Sequence, residues 1–332
     1  MTEARKIYIK SATQISMQQP LSEEWLTAPL VQTETYVRSQ DPNFREWLNP
    51  LESRRMGKIM KRAIVTATAA MKEADITTPD AIITGTGLGC IENTELFLEQ
   101  LCREGEEMLK PTNFMQSTHN TISSLIAIRT KCHGYNTTYS HRCISFDSAL
   151  ADAFMQLSIG DIDTALVMGH DEMTPSYFNI LRRMGYVGQP GEVPASEASV
   201  AMMLTSGAPE GALCEVVAVE QTYGLSRLKS LSVDIDALLV GTNGNATHDA
   251  VYDDICKLLP AVPRLHYKHL FGECYSASAL GVYAAAHLLQ RGVVPAMMRC
   301  DGGTEDLRVN NLLFVNHSDG KNVSYILLRR VG

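Results

Sequence analysis

An α/β fold built from two related halves is predicted by three features of this 332-residue sequence. The first is the unit around "SHRCISFDSAL", residues 140–150, in which a strand, a cysteine, a helix and another strand follow one another. The second is a pair of similar apolar segments, "PDAIITGTGLG" at 79–89 and "IDALLVGTNGN" at 235–245. The third is another pair in the same order, "CISFDSAL" from Cys143 and "ECYSASAL" from Glu273.

In the first unit, Tyr135, Thr137 and Tyr139 alternate with Asn136, Thr138 and Ser140, and aromatic and β-branched residues at period two favour a strand. Beyond Cys143, the residues Phe146, Ala149, Leu150, Ala153, Phe154 and Leu157 follow the i, i+3, i+4 spacing of a helix with one buried face. "GDIDTALVMG" then supplies a turn and an apolar strand. A thiol at such a strand-to-helix junction lies near unpaired N–H groups and the positive end of the helix dipole, which favour thiolate. Free cysteines are also among the most often buried residues, so these residues alone leave open both a nucleophile and an inert packed thiol.

Each segment of the first pair is a buried apolar strand ending in Gly-Thr and a turn, and each segment of the second ends in Ser-Ala-Leu and leads into an apolar helix. That order suggests internal duplication. A pseudo-dyad relating the halves would bring the two helix starts together and make Glu273 the neighbour of Cys143. The stretch "GTGLG" also invites a dinucleotide-binding reading, but its third glycine is one place early. The acids that follow, Glu104, Glu106 and Glu107, lie in a charged run rather than at a strand end.

A hydrophobic content of 45%, with 20% charged residues, allows a large core, and a net charge of −8 argues against a nucleic-acid-binding face. The opening "MTEARKIYIKSATQIS" reads as charges and a short strand rather than a signal peptide, and no run reaches membrane-spanning length. We therefore expect a cytoplasmic protein with no membrane association. The eight cysteines contain no CxxC pair and should be free thiols. "HDE" at 170–172 and His266 with His269 are weak metal candidates, and no metal or cofactor is expected. Arg54, Arg55, Lys58, Lys61 and Arg62 read as a solvated helix face, with docking of an acidic protein as the functional alternative there or at Arg182 and Arg183. His119 and Asn120 open a helix and are candidates to cap it.

Over almost its whole length the chain resembles the β-ketoacyl-acyl-carrier-protein synthase family. The resemblance rests on "SRRMGKIMKRAIVTATAAMKEADI" at 53–76, "AIITGTGLGCIENTE", a helix "PTNFMQSTHNTISSLIAI" at 111–128, and the Cys143 unit ending "GDIDTALVMGHDE". It implies a thiolase-like α/β fold with two duplicated halves, 1–207 and 208–332, in an αβαβα layered arrangement. It also implies that Cys143 stands at the family's nucleophile position. The family's two catalytic histidines are missing. Gly241 in "GTNGNATHD" falls at the first, with His248 nearby, and Glu273 in "KHLFGECYSASALG" replaces the second while Lys268 and Gly272 are kept. The terminal glycine-rich loop becomes "NHSDGKNVSYILL", and "GYVGQPGEVPA" shortens the segment between Met184 and Ser196.

Losing an oxyanion donor typically costs about 2.7 to 4 kcal/mol of barrier, and a carboxylate at 273 opposes both an anionic extender unit and a thiolate. The resemblance therefore implies a degenerate, chain-length-factor-like subunit, of the kind found in aryl-polyene-type pigment clusters. Its expected partners are an acyl carrier protein and a second subunit, in a homodimer or in a heterodimer with an active ketosynthase, joined through the strand at 135–140. The alternative is an active 3-oxoacyl synthase in which Cys143 holds the acyl chain and Lys268, Glu273 and the Asn243 loop replace the histidines.

Overall fold

The structure is a computed structural model that describes residues 5–107, 109–207, 210–224 and 234–332. Its strands are β1 (Ile7–Ile15), β2 (Ala81–Gly85), β3 (Tyr135–Tyr139), β4 (Thr164–Asp171), β5 (Ala198–Ser206), β6 (Cys214–Tyr223), β7 (Ala237–Val240), β8 (Arg264–His266), β9 (Val293–Val294), β10 (Leu307–Arg308), β11 (Asn311–Ser318) and β12 (Asn322–Arg329). The helices are α1 (Pro50–Ser53), α2 (Lys58–Glu73), α3 (Ile91–Glu104), α4 (Pro111–Gln116), α5 (Thr121–Thr130), α6 (Ser145–Ile159), α7 (Pro175–Arg183), α8 (Ala246–Leu258), α9 (Lys268–Phe271) and α10 (Ala277–Arg291).

Hydrogen bonding runs through the order β3-β2-β4-β5-β1-β6-β12-β11-β7-β8, with β9 and β10 forming a separate small ladder. The order falls into two like halves. In the first, β2 is parallel to β3 and β4, β4 is antiparallel to β5, and β5 to β1. In the second, β7 is parallel to β8 and β11, β11 is antiparallel to β12, and β12 to β6. The paired segments thus become corresponding strands, β2 and β7, each followed by its Gly-Thr turn, and the Ser-Ala-Leu pair opens α6 and α10. The join is short, since β1 meets β6 only from Ile7 to Ile9.

Side chains alternate across a strand, so each strand serves two cores. In β4, Ala165 and Val167 face a central cluster while Leu166 and Met168 face an outer one under α2. In β11, Leu312 and Phe314 face the central cluster while Leu313 and Val315 face another outer core that includes Tyr252 and Ile255 of α8. The central cluster draws on both halves and contains α6 and α10, the latter buried along nearly its whole length. A helix apolar on all sides must be covered on all sides, which gives the sequence of layers α2, strands, α6 with α10, strands, α8.

Two expectations need correction. The segment 111–128 is two helices, because the run Ser117 to Asn120 breaks the chain between α4 and α5. The hydroxyls of Thr118 and Thr121 bond each other at 3.0 Å across that break, and the Asn120 side chain makes no cap. Arg62 does not belong to a solvated face: it is buried, with Nε 2.5 Å from Asp41 Oδ1 and Nη1 2.8 Å from Glu197 Oε2. β1 is buried on both faces in the middle of the sheet. The expected division between 207 and 208 falls at residues 208 and 209, which lie outside the described residues.

Candidate functional site

Cys143 lies in the short turn between β3 and α6, directly after Arg142, whose φ of 53° puts a non-glycine residue in the left-handed region. Gly85, at the end of β2, lets this turn approach. A Cβ there would overlap the backbone of Ser145 and Phe146. Asn316 near the end of β11 then fixes the turn from the other half, its Nδ2 donating to Cys143 O at 2.9 Å and to Asp147 Oδ2 at 3.0 Å. The buried Asp147 also accepts from Ser324 of β12.

Lys268, which opens α9, and Glu273, two residues beyond its end, form a mostly buried ion pair, with Nζ 2.7 Å from Oε2. The same oxygen accepts from Asn243 Nδ2 at 2.7 Å. The shortened segment before Ser196 lies over this group. Glu273 N donates to Pro194 O and Ser196 N to Glu273 O, both at 2.8 Å, while Val193 N donates to Asn243 O at 2.8 Å. Asn245 Nδ2 reaches Glu192 Oε1 at 2.9 Å. Glu273 is thus held by a single parallel bridge to Ala195, four residues ahead of α10, instead of at a helix start.

Burial, reinforced by the Glu273 charge, pushes the Cys143 thiol up to about 12, while Lys268 and Arg142 pull it down. The expected bias toward thiolate is therefore reversed, because desolvation outweighs the helix start. Asp171, at the end of β4, bridges the halves. It accepts from Gly87 N at 3.0 Å, Leu88 N at 2.8 Å and Thr86 Oγ1 at 3.0 Å in the loop after β2, and from Ser276 ahead of α10. Burial still carries its carboxyl up to about 6, and that of Glu172 up to about 7.

Of the metal candidates, His266 and His269 stack at 3.9 Å between ring centroids, and His170 is buried with Nδ1 2.9 Å from Ser199 Oγ. Of two further residues central to the site, Asn316 entered the sequence reading only as the first residue of the altered terminal loop, and Tyr252 was not singled out. The helical period of α8 turns Tyr252 inward with Ile255, but nothing in that pattern shows that its hydroxyl reaches the site. Cys143, Lys268, Glu273, Asn243, Asn316 and Tyr252 thus bring strand ends and helix starts of both halves to one place, around a neutral thiol and a closed charge pair.

A family model described as "Beta-ketoacyl synthase, N-terminal domain" matches residues 25–232, and the chain belongs to that family. The ishigamide ketosynthase/chain length factor structure is similar over 99% of this chain and 100% of that one, with a TM-score of 0.84 at 17% identity. A type II polyketide synthase acyl-carrier protein complex with its ketosynthase, AntDE:AntF, has a TM-score of 0.79 at 12% identity over 99% of this chain and 100% of that one. A ketosynthase, ApeO, in complex with its chain length factor, ApeC, from Xenorhabdus doucetiae has a TM-score of 0.73 at 14% identity over 98% of each chain. A search of curated protein sequences returns no match. Among the described residues no helix is long and apolar enough to cross a membrane.

Proposed function

We propose that this chain is a chain-length-factor-type subunit, a partner of an active β-ketoacyl synthase in cytoplasmic fatty-acid or polyketide biosynthesis, of the polyene kind found in aryl-polyene-type pigment clusters. The observation that carries the reading is the Lys268–Glu273–Asn243 group, with Gly241 beside it, in a scaffold of the synthase family. Condensation needs donors that receive negative charge developing on a thioester oxygen. Here the ammonium is already spent on a carboxylate, and the thiol is held neutral. The two halves, 1–207 and 208–332, supply a fold that shapes an acyl site without driving its chemistry.

Similarity to complexes of ketosynthases with chain length factors and with an acyl carrier protein supports the same assignment of partners. The edge strand β3 offers the surface, because its outer side is the end of the sheet. The test is reconstitution with a ketosynthase encoded nearby and malonyl carrier protein. With Cys143→Ala in this chain, elongation should persist within about threefold, with product length free to change, since a residue that does no chemistry can be truncated at small cost. Elongation abolished while the complex stays intact would overturn the reading, as would an acyl group on Cys143 accompanied by elongated product from this chain alone.

A further inference from the structure

The geometry points to Tyr252 as a positioning residue that has taken the space in front of Gly241 and holds the Cys143 turn through Asn316. The inference rests on the partner-subunit reading, for which it supplies the means of keeping the site closed. A Cβ on Gly241 would lie 2.8 Å from Tyr252 Oη, 3.0 Å from Lys268 Cε and 3.2 Å from Lys268 Nζ. Neither neighbour yields easily. Tyr252 is fully buried, its ring packed against His248 and His317 at centroid distances of 5.4 and 4.6 Å, and Lys268 is tied to Glu273. The volume that a side chain at 241 would enter is thus occupied from α8, a different element.

The tyrosine also reaches the thiol residue. Its hydroxyl donates to Asn316 Oδ1 at 3.4 Å, and Nδ2 of that amide donates to Cys143 O and Asp147 Oδ2. An amide has one acceptor end and one donor end, so a hydroxyl on the first orients the second toward the Cys143 carbonyl. Gly241 and Tyr252 are accordingly a matched pair. Restoring a side chain at 241 without removing Tyr252 displaces either the tyrosine or the lysine.

Two readouts on the full-length chain test this. The first is a cycle of urea midpoints for the wild type, Gly241→Ala, Tyr252→Phe and the pair. Gly241→Ala should lower the midpoint, and Tyr252→Phe, which deletes the atom the new Cβ would strike, should recover about half of that loss or more. Gly241→His with Tyr252→Ala repeats the cycle on a larger scale. The second is the alkylation rate of Cys143 by iodoacetamide, read by intact mass against a Cys143→Ala blank. Tyr252→Phe, which removes the hydroxyl that orients Asn316, should react about threefold faster than wild type or more, and Tyr252→Ala, which also opens the space in front of Gly241, faster still. Additive midpoints, or alkylation of Tyr252→Phe at the wild-type rate, would overturn the proposal. A condensing wild-type chain would overturn the partner reading and leave the coupling between 241 and 252 standing, so the two fail separately.

Discussion

The Cys143 thiol sits one residue after the left-handed Arg142 and just ahead of α6, where helix N–H groups normally favour thiolate, and burial together with Glu273 outweighs them. The same competition governs Glu172, beside the Asp171 bridge. Its carboxylate accepts from Glu92 N at 3.1 Å, yet burial carries it from 4.5 to about 7. A folded-state value above the unfolded one means that the native protein binds this proton more tightly. The contribution to stability is therefore full below about pH 4.5 and lost as the pH rises through about 7. His170 acts in the opposite direction: buried neutral at about 3, it contributes above pH 6.5 and its contribution is lost on acidification. The informative quantity is thus the stability difference between wild type and Glu172→Gln, in which the histidine cancels. From pH 5 to pH 8 that difference should move in favour of the variant, by up to about 3 kcal/mol. A pH-independent gap in urea denaturation would show that Glu172 ionises freely in the folded state.

At the level of elements, the approach of two helices to two strand ends builds the site. Gly85 and Gly169 are partners in the β2–β4 ladder, and a Cβ on them would strike the start of α6 and Ala279 of α10 respectively. The obstacle at Gly85 is backbone, which has no rotamer to change. Gly85→Ala should therefore cost about 3 kcal/mol, at the upper end for overpacking, measured by equilibrium urea unfolding. A loss below about 0.5 kcal/mol would mean that α6 shifts freely. This architecture was legible in sequence where residues repeat. β2 and β7 read as apolar runs closed by Gly-Thr, and the Ser-Ala-Leu pair pointed to α6 and α10. The break at 117–120 was legible in its polar run Ser-Thr-His-Asn, which the reading of 111–128 as one helix passed over. The role of Arg62 was hidden because its counterions, Asp41 and Glu197, lie far away in the chain. Charges spaced along a helix look alike whether they face water or a buried carboxylate. Tyr252 shows the same limit: periodicity gave its direction, and only the fold gives its neighbours.

At the scale of the whole molecule, one end of the sheet remains to be covered. β3 is the terminal strand on that side, packed between α5 and α6, and around it lie exposed apolar side chains: Tyr135 on the strand, Ile128 on α5, and Met155 and Ile159 on α6. Met155 and Ile159 are 56% and 66% exposed, so replacing them leaves the central core untouched and should change the stability of the isolated chain by only about 0.5 kcal/mol. An unpaired strand edge flanked by apolar helix faces fits sheet continuation into a second subunit, with the helices packing above and below the joined strands. Met155→Glu combined with Ile159→Glu should then weaken association with the ketosynthase, or self-association where this chain pairs with itself, by about tenfold or more, because two charges would enter a desolvated contact. Light scattering and co-purification measure the effect. Tyr223→Glu is the control, an equally polar change at a residue 76% exposed at the end of β6, five strands from β3. If the double variant still pairs at wild-type strength while Tyr223→Glu breaks the complex, the partner docks at the centre of the sheet and not at β3.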